Sequence, residues 1–172
     1  MRQSLKTRGF VLKKKPLLNR DIILSLFSEA FGKINVFAHG ARTITSRRLS
    51  HIDTGNFITA EIDKREGRYY LKETKLISGF SQIKSNKSKV NYLSVFLFIL
   101  NKILPEGQRE ERAYIILKNF LIEISKKSEN LNVINKYLNK LIIALGYSNE
   151  EMGDERITSF IEDVIGEKLP YI

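Results

Sequence analysis

From Thr7 to Lys75, apolar and polar positions alternate with a period of two, in short segments punctuated by Gly and Asn. Successive side chains of a strand point to opposite faces, so this alternation is the mark of half-buried strands. It predicts strands near residues 7–15, 21–28, 33–39, 56–64 and 68–75. The last two are joined across Arg65-Glu66-Gly67-Arg68, a short Gly-containing loop that signals a hairpin. Between the third and fourth lies the stretch Gly40 to Gly55, whose middle, Ser46 to Ile52, can form a short helix plugging one end of a barrel. Five strands with such a plug predict an OB-fold barrel.

Beyond Phe80 the polar stretch Lys84 to Lys89 ends this pattern, and the period changes to 3.6. Val90, Leu93, Leu97, Leu100 and Leu104 mark one face of a first helix, while Phe96, Phe98 and Ile99 make it apolar on its other sides and predict a central, buried element. Ala113, Ile116, Leu117, Phe120, Leu121 and Ile124 form the stripe of a second helix. A third starts near Asn132, turns Ile134, Leu138, Leu141, Ile142 and Leu145 inward and stops at Gly146. A fourth, capped by Asp154 and closed by Gly166, carries Ile157, Phe160, Ile161 and Val164. The expected class is therefore α+β, all-β then all-α: an OB-fold domain over residues 1–80 and a small helical bundle over residues 81–172.

Charge sharpens the picture through its location. Residues 1–50 carry 11 Lys or Arg against 2 Asp or Glu, whereas the last 25 residues, 148–172, carry 2 against 7. Such a concentration of cations at one end points to a polyanionic partner. The chain has no cysteine, which excludes disulfides, thiolate metal sites and a cysteine nucleophile, and fits an intracellular compartment. Met1 to Lys15 has no apolar stretch of signal-peptide type, and the longest nearly apolar run, Tyr92 to Leu100, is about half a membrane span. The expectation is a cytoplasmic protein that does not span a membrane.

Little in the chain supports enzymology. The two histidines, His39 and His51, have no carboxylate at a spacing that suggests a triad or metal cage, and Asp21, Asp53 and Asp63 are dispersed as solvated carboxylates are. No glycine-rich phosphate loop is present. No catalytic residue, cofactor or metal is expected. The sharper signal is again alternation: on the third strand Ile34, Val36 and Ala38 point one way, and Lys33, Asn35, Phe37 and His39 the other. The second set joins cations to an aromatic ring, the pairing that single-strand binders use for phosphate contact and base stacking. Lys13, Lys14 and Lys15 on the first strand, and Arg42, Arg47 and Arg48 in the loop after the third, can converge on the same face. Phe37 can equally pack against the helical domain, and the lysine triplet can be a solvated strand end.

Gly9-Phe10-Val11-Leu12, then Asp21 to Ser28, Phe31-Gly32-Lys33 and Ala38-His39-Gly40-Ala41-Arg42 together resemble the N-terminal domain of the RecO family. Ser46-Arg47 and Leu71-Lys72-Glu73 continue the likeness over residues 8–80. The helical half resembles the family more loosely, through Leu141 to Tyr147 and Ile165 to Leu169. The chain departs from the pattern at His39 and Thr43, where basic residues are common, and lacks the cysteine module that many members carry after the Leu-Gly-Tyr segment. It looks like a shortened, zinc-free form.

The resemblance implies a recombination mediator of DNA repair. Such a protein binds single- and double-stranded DNA, anneals complementary strands and, with RecR, helps load RecA onto strands coated by single-strand-binding protein. It implies further that the C-terminal tail of single-strand-binding protein docks on the helical domain near Lys118, Lys126, Lys136 or Lys140, and that the protein is associated with the nucleoid. Two rivals remain on charge and fold alone: an OB-fold RNA-binding protein of translation or ribosome assembly, and a protein adaptor that works through its acidic tail, Glu150 to Glu167, and its bundle.

Overall fold

The computed structural model describes residues 3–42, 48–126 and 131–170. Its elements, in chain order, are β1 (Gln3–Pro16), β2 (Ile22–Ser28), β3 (Gly32–Ala38), α1 (Arg48–His51), β4 (Phe57–Arg65), β5 (Arg68–Ser78), α2 (Ser81–Lys84), α3 (Lys87–Ile103), α4 (Glu111–Lys126), α5 (Leu131–Ala144) and α6 (Asp154–Ile165). The five strands close into a barrel in the order β1-β2-β3-β5-β4. Two compact units result: residues 1–79 with 104–109, and residues 80–103 with 110–172.

β1 is long enough to serve two neighbours. Its first half, Gln3 to Phe10, pairs antiparallel with β4, and its second half, Gly9 to Pro16, pairs with β2. Closure comes from a short parallel contact in which Val36 faces Tyr69 and Phe37 faces Tyr70. The inward residues of this alternation, among them Val11, Leu24, Leu26, Ile34, Val36, Ala38, Ile58 and Ile62, form one apolar core. Ile52, just after α1, is fully buried in the same cluster, so α1 does plug the barrel. The Asn56 amide fixes that helix by donating to the carbonyls of Ser50 and His51 at 3.0 and 2.9 Å. The expected hairpin is present: Arg65 pairs with Arg68 across a two-residue turn, with φ of 48° at Glu66 and 76° at Gly67. Two positive φ values in succession match the right-handed twist of the flanking strands.

β1 departs from simple alternation at Leu12. The register steps from Val11↔Leu26 to Lys13↔Ser25, which leaves Leu12 as the extra residue of a β-bulge. A bulge re-aims every side chain that follows it. Lys13 and Lys15 thereby share the outer face with Ser25 and Ile23, while Lys14 falls in register with the core residue Leu24.

In the second unit α3 buries eight of its residues between Tyr92 and Ile103, as its apolar girth predicts, while Phe98 stays partly exposed. α4 packs with α5, and α6 with both α3 and α5. On α6 the buried side chains are Ile157 and Ile161 alone, because Phe160 and Val164, expected inward, lie at the edge of the stripe and stay partly exposed. The cap also differs: Gly153 occupies the N-cap position and Asp154 is the first helical residue, placed where its charge favours the helix dipole. Among the described residues no helix is long and apolar enough to cross a membrane.

Candidate nucleic-acid interface

β3 alternates as its sequence predicts. Ile34, Val36 and Ala38 are buried, Lys33 and Phe37 are partly exposed, and Asn35 and His39 are exposed. The register then aligns four outward residues across four strands, Lys15 to Ile23, Ile23 to Phe37 and Phe37 to Tyr70. Phe37 and Tyr70 rings lie 5.7 Å apart, and the His39 imidazole stacks on Tyr70, with 5.5 Å between centroids and 18° between planes. The Arg65 guanidinium sits 5.6 Å from the same Tyr70 ring. Its orientation is fixed by an ion pair at 3.1 Å with the buried Asp63 carboxylate. The result is a small aromatic platform, Phe37, Tyr70 and His39, edged by Arg65 and Lys15.

The exit of β3 is held by Asp21. Its carboxylate accepts the Gly40 amide at 2.7 Å, contacts His39 Nδ1 at 2.9 Å and accepts the Asn19 amide at 2.8 Å. The Gly40 bond above all, then His39, holds this carboxyl below the usual carboxylate range. Asp21 is therefore not a dispersed solvated carboxylate, as its sequence position suggests, but an organiser that ties the β1–β2 loop to the β3 exit. Arg42 completes the tie: its amide donates to the Arg20 carbonyl at 3.0 Å and its guanidinium to the Leu17 carbonyl at 3.1 Å. Ala38 and Ala41 are fully buried on either side. The run Ala38-His39-Gly40-Ala41-Arg42 thus alternates core anchors with two side chains that face outward.

Not every candidate joins the platform. Lys14 is drawn into an ion pair with Asp53, apart from Lys13 and Lys15, which are exposed on the outer face. Lys33 meets the 104–109 segment: its carbonyl accepts the Gly107 amide at 2.8 Å, and the neighbouring Asn35 amide donates to Glu106 at 2.8 Å. Burial lowers the Lys33 pKa, with Glu106 partly opposing the shift. Arg47 lies outside the described residues; Arg48 begins α1, and its side chain is outside them too. Tyr70 and Arg65 were not singled out by the sequence. The signal was present, since Leu71 is a core residue and alternation puts Tyr70, not Tyr69, on the outer face.

The architecture is that of a small OB-fold module, a five-stranded barrel plugged by α1 between β3 and β4, with a helical unit beside it in sequence. Residues 1–80 match the family described as Recombination protein O N terminal. The chain is 34% identical over 146 residues to the DNA repair protein RecO of Thermoanaerobacter sp. (strain X514), covering 83% of this chain and 58% of that protein. It is 31% identical over 150 residues to the DNA repair protein RecO of Caldanaerobacter subterraneus subsp. tengcongensis, with the same coverage of 83% and 58%. A third relative, the DNA repair protein RecO of Alkaliphilus metalliredigens, is 26% identical over 130 residues, 76% of this chain and 53% of that protein. The chain belongs to the RecO family, and it spans a little over half the length of these relatives.

Proposed function

We propose that this chain is a DNA-binding recombination mediator acting in DNA repair, and that the outer face of β2 and β3 holds nucleic acid. The observation that carries the reading is the cross-strand row Lys15, Ile23, Phe37 and Tyr70, extended by His39 and Arg65 into an aromatic and cationic platform. OB barrels bind oligonucleotides on this face and at the β1–β2 and β4–β5 loops. Lys13, Lys15 and Arg42 would engage phosphates, and Phe37 and Tyr70 would stack on bases. Such a face neutralises backbone charge while leaving base edges exposed. That combination lowers the phosphate repulsion opposing strand annealing, and it needs no catalytic residue. The proposal extends to cooperation with RecR in loading RecA and to a location at the nucleoid, and what supports this part is the likeness to RecO proteins.

The direct test compares labelled single-stranded DNA, duplex DNA and structured RNA across a salt series. Both DNA forms should bind with a steep salt dependence. Phe37→Ala combined with Tyr70→Ala should weaken single-stranded binding by about 1–3 kcal/mol per stacked base, and duplex binding less. Preference for structured RNA, with no effect of the aromatic substitutions, would instead favour a role in translation or ribosome assembly.

The helical unit supplies a second proposed contact, with the acidic C-terminal tail of single-strand-binding protein. On α4, Ile115 and Ile122 are 49% and 41% exposed, and Lys118 and Lys126 lie on the same face at helical spacing. Lys140 is exposed as well, whereas Lys136 is held at 3.0 Å by Glu123. An apolar stripe edged by lysines suits a short acidic peptide ending in apolar residues. In an NMR titration the tail peptide should move resonances of α4. A titration that shifts none of residues 84–147 would remove this contact.

A further inference from the structure

At the tip of the β1–β2 loop, Leu18 is fully solvent-exposed, with a relative accessibility of 110%. A lone exposed leucine is ordinary on a protein surface. This one is distinguished by how it is held. Pro16 fixes the entry to the loop, and the Leu17 amide closes it by donating to the Asp21 carbonyl at 3.0 Å. The Asn19 side chain accepts the Asp21 amide at 3.2 Å and donates to the Asp21 carboxylate at 2.8 Å. Arg42 then binds the carbonyls on both sides of the tip, those of Leu17 and Arg20. The loop is a fixed pedestal, and its apex is an apolar side chain. Around it stand Lys15, Arg20 and Arg42, all exposed, and Asp21 couples it directly to His39 of the aromatic platform.

We propose that Leu18 is an apolar wedge that enters a base step of the bound nucleic acid and unstacks it. The inference rests on the nucleic-acid reading of the platform and adds to it a residue and an action. Stable protein interfaces need about 800 Å² from each partner, which one leucine among cations does not offer. A single apolar side chain does suffice to open a base step once neighbouring cations hold the phosphates. Burial of the leucine and the cost of unstacking are of similar size and opposite sign. The wedge therefore alters the state of the DNA more than its affinity, which suits a protein that prepares strands for exchange of partners.

The test uses the full chain and an oligonucleotide duplex carrying 2-aminopurine next to a single-strand junction. Saturating wild-type protein should raise the probe's fluorescence, the signature of unstacking. Leu18→Ala should keep the melting temperature, the salt slope and duplex affinity to within roughly threefold, because the phosphate contacts remain. It should lose most of the fluorescence rise, and Leu18→Phe should restore it. If Leu18→Ala binds and gives the full rise, or if wild-type protein binds the duplex without any rise, the wedge is overturned while the binding face stands. If wild-type protein binds no DNA at all, the reading on which the wedge rests has failed with it.

Discussion

Gly32→Ala should destabilise the barrel by about 2–5 kcal/mol. Two independent effects combine there. Gly32 has φ of 69°, and an L side chain in that region costs roughly 1–2 kcal/mol. A Cβ at this position would also overlap the Gln108 carbonyl and press on the Arg109 amide, both backbone groups of the 104–109 segment that belongs to the barrel unit. Relief requires that segment to move, at a further cost of about 1–3 kcal/mol, and it would disturb the Gly107 to Lys33 and Asn35 to Glu106 bonds. Gly67→Ala is the matched control. Its φ is 76°, yet nothing lies within 4 Å of the added carbon. Chemical denaturation should place Gly32→Ala clearly below Gly67→Ala. Equal losses would mean that the 104–109 segment is not seated against the start of β3.

This close approach also marks where the sequence stops being informative. Leu104 reads as the last apolar position of the first helix and residues 105–109 as a connection between helices, yet α3 stops at Ile103 and the whole of 104–109 joins the barrel unit; no periodicity announces that it returns to β3. Lys33 accordingly reads as an exposed cation beside Phe37, although Glu106 and the chain around it take up that end of the strand. Local alternation, in contrast, carried β3 correctly because one face is committed to the core and a slip of one residue would reverse all seven positions. The same logic failed on β1 for one reason, the bulge at Leu12. Strict alternation from the inward Val11 would turn Lys14 outward and Lys13 and Lys15 inward; the bulge reverses this, so Lys13 and Lys15 take the outer face and Lys14 leaves it for Asp53. Asp21 was illegible for a different reason. A carboxylate's role depends on which amides converge on it, and the Gly40 amide comes from 19 residues away.

The cations of the outer face should dominate duplex binding. Lys13 and Lys15 are placed there by the bulge, and Arg42 by its anchorage at the β1–β2 loop. Each phosphate contact contributes about 0.9 to the slope of log affinity against log salt for duplex DNA. Replacing all three with Gln removes charge while leaving hydrogen-bonding side chains; at Lys13 and Lys15 the change in stability should stay within about 0.5 kcal/mol, and at Arg42 the lost bond to the Leu17 carbonyl should add about 0.5–1.5 kcal/mol. The measurement is duplex affinity from about 50 to 200 mM salt for the wild-type and Lys13→Gln, Lys15→Gln, Arg42→Gln proteins. The triple variant should fold normally and bind more weakly at low salt, with a slope shallower by about 2.7. A folded triple variant that keeps both the affinity and the slope of the wild type would show that DNA is held elsewhere.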